Sequence, residues 1–276
     1  MTKKIILISI ILVIFSIQSF AQVILSPYVV FMDETNKYGS LVVQNESFES
    51  YEISISFVFG YPVSDSIGTR TMNYVSNPSI EDPSITNWIK VFPRKFVLAP
   101  KERQTVRLLV KPPNDIKDGT YWTRIVTQST PIDEEQDTTT TGVSAKIKFV
   151  LNQITTAIFR KGNTSTGLQI EDVKLYKDST DTRQILYSLK REGNSPFFGN
   201  FNLKVYDSLG ELVKEESDYA SIYVDFVRNY VLQKDDFKPG KYRAELEIVF
   251  NEKEDIPKSK MEQIPPIENK FEFIIP

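Results

Sequence analysis

The feature that most limits how this chain can fold is a set of short segments in which apolar and polar residues alternate. From residue 143 to residue 151 every second side chain is apolar, and Ser144, Lys146 and Lys148 stand between them. A period of two places successive side chains on opposite faces of an extended strand. A slip of one residue would exchange the two faces, so this segment predicts a β-strand of well-specified register.

Two more strands are predicted just upstream, in residues 105–110 and 121–126, which are rich in β-branched and aromatic side chains. Prolines 112 and 113 end the first of them because proline cannot donate to a sheet. The turn pair Asp118-Gly119 precedes the second, and the two strands are predicted to form a hairpin. Residues 130–142 are acidic and Thr-rich without an apolar period, which indicates a long flexible loop.

Segments with alternating apolar and polar residues continue to the end of the chain. Residues 162–167 are small and polar and predict a flexible linker, and the region from Arg160 to Gly167 is the predicted domain hinge. Strands are predicted beyond this linker in residues 168–176, 183–190, 201–206, 242–250 and the C-terminal alternation. The chain of 276 residues is long enough for two domains. We therefore expect an all-β fold of two immunoglobulin-like β-sandwich domains in tandem, residues 22–162 and 163–276.

The first residues predict a leader for export. Lys3 and Lys4 precede an apolar run over residues 5–17, and small residues end at Ala21. This order is typical of a signal peptide, so residues 1–21 are expected to be removed after Ala21. The run is shorter than the roughly 20 residues that a membrane span needs. An uncleaved anchor is the alternative, and a soluble exported protein is the prediction.

Composition excludes several functions. The chain has no histidine and no cysteine, which removes the commonest general base, thiol catalysis and zinc–thiolate sites. We expect no enzyme, no metal site and no cofactor. Of the 33 Lys and Arg residues two lie in the leader, so 31 remain against 36 Asp and Glu, a formal charge of −5. This balance argues against nucleic acid or an anionic membrane as the main partner.

The strings PRKFVLAPKERQTVRLL and GTYW, followed by the alternating strand that ends IFR, carry a family resemblance. Together with GSLVVQN and YEISI upstream, they resemble the N-terminal domain of periplasmic pilus-assembly chaperones, the PapD-like family. The resemblance covers roughly residues 23 to 162. It implies a periplasmic chaperone that binds fimbrial or pilin subunits, with an outer-membrane usher as a further candidate partner and no small-molecule ligand.

Members of this family lend the last strand of that domain to an unfinished subunit. The matching client-binding side chains are Val143, Ala145, Ile147, Phe149 and Leu151. In such strand addition the backbone supplies affinity and alternate side chains supply specificity. The alternative is that these side chains face the core of their own domain.

The family also uses two basic residues to hold the carboxylate at the C-terminus of the subunit. The matching positions here are Tyr28 and Thr156, and neither is basic. Arg160, Lys161 and Lys148 are the candidate substitutes. A different class of function is an exported adhesive or structural protein that binds protein or glycan. Its glycan site would use exposed aromatic residues, for which the candidates are Trp88, Trp122, Phe197 and Phe198.

Overall fold

The structure is a computed structural model that describes residues 23–132, 148–234, 237–251, 256–257, 260, 262 and 264–276. The predicted leader, residues 1–21, lies outside this range. The strands in the described residues are β1 Val23–Ser26, β2 Val29–Asp33, β3 Tyr38–Asn45, β4 Tyr51–Ser64, β5 Arg70–Val75, β6 Ile89–Phe92, β7 Lys95–Leu98, β8 Arg103–Val110, β9 Gly119–Pro131, β10 Leu151–Lys161, β11 Thr166–Lys177, β12 Arg183–Gly193, β13 Phe197–Tyr206, β14 Leu212–Ile222, β15 Phe226–Leu232, β16 Gly240–Phe250 and β17 Ile267–Ile275. No helix found there has the length and apolar character to cross a membrane.

Strands β1 to β10 form the first sandwich. One sheet has the order β1-β3-β8-β6, and the facing sheet has the order β2-β10-β9-β4-β5 with β7 also paired to β4. The side chains that alternate inward from both sheets form one apolar core, which includes Leu41, Ile53, Val106, Ile125 and Phe159. Burying each such side chain stabilises the fold by roughly 1.5–3 kcal/mol, so this core fixes the strand registers.

The predicted hairpin between residues 105–110 and 121–126 is wrong. Both segments are strands, β8 and β9, but β8 pairs with β3 and β6 whereas β9 pairs with β4 and β10 in the other sheet. The connection with Pro112 and Pro113 therefore crosses from one layer of the sandwich to the other. Because both strands bury one face in the common core, their alternation could not tell a hairpin from such a crossing.

Strands β11 to β17 form the second sandwich. A three-stranded sheet of order β11-β12-β15 faces a four-stranded sheet of order β14-β13-β16-β17. Its core contains large side chains, among them Tyr187, Phe197, Phe201 and Tyr230. The expected all-β class and the two sandwiches in tandem are confirmed.

A third apolar cluster joins the two sandwiches. We call it the junction cluster: Val29, Phe59, Trp122, Ile158, Phe198, Tyr223 and Ile256. The rings of Trp122 and Tyr223 lie 4.6 Å apart, and the Trp122 indole N–H donates to the Gly60 carbonyl. Since these side chains are buried, the two sandwiches share apolar surface that would be exposed if they separated.

The connection between β10 and β11 differs from the flexible linker that its composition indicates. The Gly162 amide donates to Glu34, and the Asn163 amide donates to Asp118. The side-chain amide of Asn194, in the second sandwich, donates to the carbonyls of both Asp118 and Asn163. Small polar residues here serve hydrogen bonds to both sandwiches, and their backbone is held in place.

Candidate functional site

Strand β10 is paired on both edges along only half of its length. Its whole length, Leu151–Lys161, pairs antiparallel with β9. On the other edge β2 pairs in parallel with residues 156–160. Among the described residues no strand covers that edge of residues 151–155, which we call the open half of β10. Unpaired backbone groups along a strand edge are a ready template for adding another strand.

Apolar side chains are exposed at the open half and just before it. The exposed fraction is 74% for Phe149, 49% for Val150, 38% for Leu151 and 47% for Ile154. Farther along the same strand Ala157, Ile158 and Phe159 are almost completely buried. The apolar surface of β10 is therefore covered where β2 is present and uncovered where it is absent.

The structure locates two of the five predicted client-binding residues. Leu151 is the first residue of β10, and Phe149 lies two residues before it; both side chains are exposed, so neither is part of the buried core. The strand predicted over residues 143–151 is wrong for residues 148–150, which precede β10 and form no strand. Val143, Ala145 and Ile147 lie outside the described residues.

The core beneath the open half is polar. Thr155 on β10 and Thr127 and Ser129 on β9 are almost completely buried, and their hydroxyl groups have no hydrogen-bond partner among the described residues. A buried polar group without a partner costs roughly 1–3 kcal/mol. This end of the sandwich is accordingly less stable than the apolar end around Phe159.

The open half ends at a fixed point. The Thr156 amide donates to the Tyr28 carbonyl at 3.0 Å, and from there β2 occupies the edge. The two positions that match the anchor residues of the family, Tyr28 and Thr156, are thus in direct contact. An added strand cannot extend beyond this pair, so its end would lie beside them.

Arg124, on β9, lies at this end point and was not assigned a role from the sequence. Its guanidinium donates to the Thr156 hydroxyl at 2.5 Å and to the Gly60 carbonyl at 2.9 Å, and it lies 5.0 Å from the centre of the Tyr223 ring. It makes no ion pair with the described residues. A half-buried guanidinium without a carboxylate partner is suited to bind one.

The three predicted substitute anchors do not meet at this point. Arg160 is buried at the far end of β10, where it donates to the Lys260 carbonyl and lies over the Phe31 ring. The Lys161 ammonium donates to the Ile116 carbonyl. Lys148 precedes the strand at its other end and is exposed. The structure therefore distributes these three charges along the strand instead of grouping them.

A groove of about 390 Å³ leads away from the open half between the two sandwiches. Ile154, Met72 and Tyr74 line one part of it, and Arg124 and Tyr219 line another. Ile154, Met72 and Tyr74 are each more than 40% exposed. The groove offers a protein partner an apolar wall beside the open strand edge.

The aromatic residues considered for a glycan site are not available as a surface. Trp122, Phe197 and Phe198 are buried, and Trp88 packs against Tyr121 with the ring centres 5.3 Å apart. Sugar binding by aromatic side chains needs an accessible ring face, so these four residues do not form such a site.

No family model matches the chain, and no curated protein matches it. Several solved structures are similar to it. The chain is similar to one in the CsuC–CsuE chaperone–tip adhesion subunit pre-assembly complex of Acinetobacter baumannii, at 11% identity over 90% of this chain and 98% of that one, with a TM-score of 0.49.

Two other similar structures come from different bacteria. For the Salmonella enterica SafA pilin in complex with the SafB chaperone, the identity is 12%, the coverage is 94% of this chain and 98% of that one, and the TM-score is 0.44. For the Pseudomonas aeruginosa CupB2 chaperone, the identity is 10%, the coverage is 92% of this chain and 100% of that one, and the TM-score is 0.41. The chain is similar to these proteins over most of its length, at identities and scores too low to carry over a client or a binding residue.

Proposed function

We propose that this chain is an exported, non-enzymatic chaperone that binds fibre subunits of the pilin type by lending them the open half of β10. One observation supports this proposal above all: exposed apolar side chains lie along the free strand edge, at Leu151 and Ile154, and just before it, at Phe149. A client segment added there would pair the free backbone groups and cover these side chains. Burying Phe149 or Leu151 in the client would contribute roughly 1.5–3 kcal/mol each.

The position of β2 supports a direction for the client strand. β2 runs parallel to β10 and begins where the open half ends. A client strand in line with β2 also runs parallel to β10, and its C-terminal end points at Tyr28 and Thr156. The terminal carboxylate then meets Arg124, which takes the anchoring role in place of Arg160, Lys161 and Lys148. A charge-assisted hydrogen bond in a half-buried site is about twice as strong as a neutral one.

The cellular setting belongs to the same proposal. The leader in residues 1–21 supports export, and the complete absence of cysteine suits a domain whose stability comes from its two apolar cores. The chaperone acts in the periplasm, and an outer-membrane usher receives its client. The proposed function involves no binding of nucleic acid.

A photo-crosslinking experiment tests the proposal. The exported full-length chain carries benzoylphenylalanine at position 149 and is irradiated in its native host. The control carries the same group at Leu209, which is 84% exposed in the second sandwich. We expect position 149, and not position 209, to capture a chain whose sequence is a fibre subunit with an incomplete sandwich. Equal capture at both positions, or capture of unrelated proteins only, would overturn the proposal.

A further inference from the structure

We propose that Arg70, on β5, is a specificity-determining residue that binds an acidic side chain on the body of the client. This inference rests on the proposed function and names a chemical feature of the client outside the segment that pairs with β10. Two strands, β9 and β4, lie between β10 and β5 in the sheet. The role of Arg70 is therefore separate from the proposed anchoring of the terminal carboxylate by Arg124.

Arg70 belongs to a cluster of three charged side chains that together carry one excess positive charge. Its guanidinium lies 3.6 Å from one oxygen of the Asp218 carboxylate, and the other oxygen of that carboxylate accepts a hydrogen bond from Arg228. The Arg228 side chain is completely buried, whereas that of Arg70 is 44% exposed. A buried charge that loses its partner is strongly destabilising, so Asp218 stays with Arg228. The charge of Arg70 is the one that a client can bind at little cost.

The groove between the sandwiches is positive where its lining is charged. Arg70 and Arg124 line it, and no acidic side chain does so among the described residues. Met72 and Tyr74, which follow Arg70 on β5, add exposed apolar surface. Such a surface is complementary to a partner that presents acidic and apolar side chains together.

The groove is continuous with the open half of β10. Ile154 lies in the open half and also lines the groove. A client that pairs with the open half and covers Ile154 therefore reaches the groove with its neighbouring surface. This continuity identifies the occupant of the groove as the client itself.

The two arginines are too far apart to bind one carboxylate. Arg124 donates to the Gly60 carbonyl on β4. Arg70 is opposite Ser64, which lies four residues farther along the same strand. At roughly 3.3 Å per residue these two positions on β4 are about 13 Å apart. Arg70 thus binds a second acidic group, which lies outside the C-terminus of the client.

The position of Arg70 is fixed by the hairpin that carries it. The Val227 amide, in the second sandwich, donates to the Ser64 hydroxyl at 2.6 Å. Gly68, in the turn of the hairpin, lies so close to Asn229 that a β-carbon would come within 2.8 Å of it. The tip of the β4–β5 hairpin is therefore held against β15, and a charge that is already in place costs less to order when a partner binds.

The test is photo-crosslinking from within the groove in the native host. The full-length chain carries benzoylphenylalanine at position 72, since Met72 lines the groove and is 41% exposed. We expect this position to capture the same fibre subunit as position 149. The crosslinked subunit peptide should contain an acidic residue and should differ from the peptide that position 149 captures.

Two substitutions then test the charge. Arg70→Gln should lower the yield at position 72, relative to that at position 149, about threefold or more. Arg70→Lys keeps the positive charge and should retain most of the yield. The matched control is Arg243→Gln, which removes an arginine of similar exposure from an ion pair with Glu245 on the second sandwich and should leave the ratio unchanged. Replacing the acidic residue of the captured subunit peptide by its amide should lower the ratio as Arg70→Gln does, and it leaves the folding of the chaperone untouched.

The melting temperature of each variant is recorded beside its yields, so that loss of folding is recognised. The inference is overturned if position 149 captures a fibre subunit while position 72 captures none or captures a second copy of this chain. It is also overturned if neutralising the acidic residue of the subunit leaves the ratio unchanged, or if Arg243→Gln lowers the ratio as much as Arg70→Gln. Absence of a fibre subunit at position 149 overturns the proposed function itself, and with it this inference.

Discussion

Two buried threonines on paired strands of the first sandwich differ in whether their hydroxyl groups have partners. Thr123 on β9 shares a hydrogen bond of 2.8 Å with the Thr86 hydroxyl and donates to the Val58 carbonyl at 3.2 Å. The Thr155 hydroxyl on β10 has no partner among the described residues. Valine has nearly the shape of threonine without the hydroxyl, so the same substitution should act in opposite directions at these two sites.

We predict that Thr155→Val raises the free energy of unfolding by about 1 kcal/mol, because it removes a buried polar group that has no partner. Thr123→Val should lower it by about 1–3 kcal/mol, because it leaves the partners of Thr123 unsatisfied. Urea unfolding of both variants measures the difference. A loss of stability in Thr155→Val as large as that in Thr123→Val would mean that the core beneath the open half is fully satisfied.

Some residues of the candidate site could be predicted from the sequence, and others could not. The period of two identified Phe149 and Leu151, because alternation is a local property that sequence displays directly. Arg124 could not be found in this way, since its role depends on Thr156 from a neighbouring strand. The signal it does leave is position: it follows Trp122 by two residues and so lies on the same face of β9 as the junction cluster.

Two glycines in turns of the second sandwich differ in how closely the neighbouring backbone approaches them. Gly193 ends β12 with a φ of +81°, and Gly210, in the turn between β13 and β14, has a φ of +83°. A β-carbon at Gly193 would lie 2.2 Å from the Ser165 carbonyl oxygen in the connection between the sandwiches, whereas one at Gly210 would have no neighbour within 4 Å. Both glycines have a positive φ, which would strain any residue that carries a β-carbon, and they differ only in the space around them.

We predict that Gly210→Ala lowers the free energy of unfolding by about 1–2 kcal/mol, through backbone strain alone. Gly193→Ala should cost clearly more, because the Ser165 backbone must move and with it the hydrogen bonds from Asn194 and Ser195. Chemical unfolding of the two variants provides the comparison. Equal losses would contradict a tightly held connection between β10 and β11.

In the second sandwich the predicted strands are those with clear apolar alternation. The segments predicted after the linker lie within β11, β12, β13, β16 and β17. Turn-forming residues dominate residues 60–83 and give no strand signal, yet β4 extends to Ser64 and pairs with β5 as a hairpin. β14 also escaped prediction because charged residues fill much of its length. The half-open edge of β10 is a property of its pairing with β2, which no local pattern encodes.

At the scale of the whole molecule, the β16–β17 connection contacts the first sandwich through two described residues. Ile256 is part of the junction cluster, and the Lys260 ammonium lies 2.8 Å from the Asp33 carboxylate at the end of β2. Burial alone would raise the pKa of Asp33. Hydrogen bonds from Lys260, the Thr35 hydroxyl and the Asn36 and Thr35 amides outweigh it and lower that pKa from 3.8 to about 2.

A lowered pKa in the folded state means that the ionised Asp33 stabilises the fold above pH 4 and that this contribution is lost as the pH falls toward 2. We predict that Asp33→Asn is less stable than the unmodified protein at neutral pH, by at most about 2 kcal/mol. The difference should shrink steadily between pH 4 and pH 2, as measured by urea unfolding at each pH. A difference that stays constant over this range would contradict the role of the carboxylate.

The central claim is that the open half of β10, together with the exposed side chains in it and just before it, binds a client and does not build the first sandwich. The measurement that tests it most directly is the melting temperature and fibre-subunit capture of Phe149→Glu, taken side by side with those of Leu209→Glu. The account predicts that both variants melt close to the unmodified protein, since both side chains are largely exposed. It also predicts that Phe149→Glu alone captures subunit more than about tenfold less well. A large fall in the melting temperature of Phe149→Glu, or undiminished capture by it, would contradict the account.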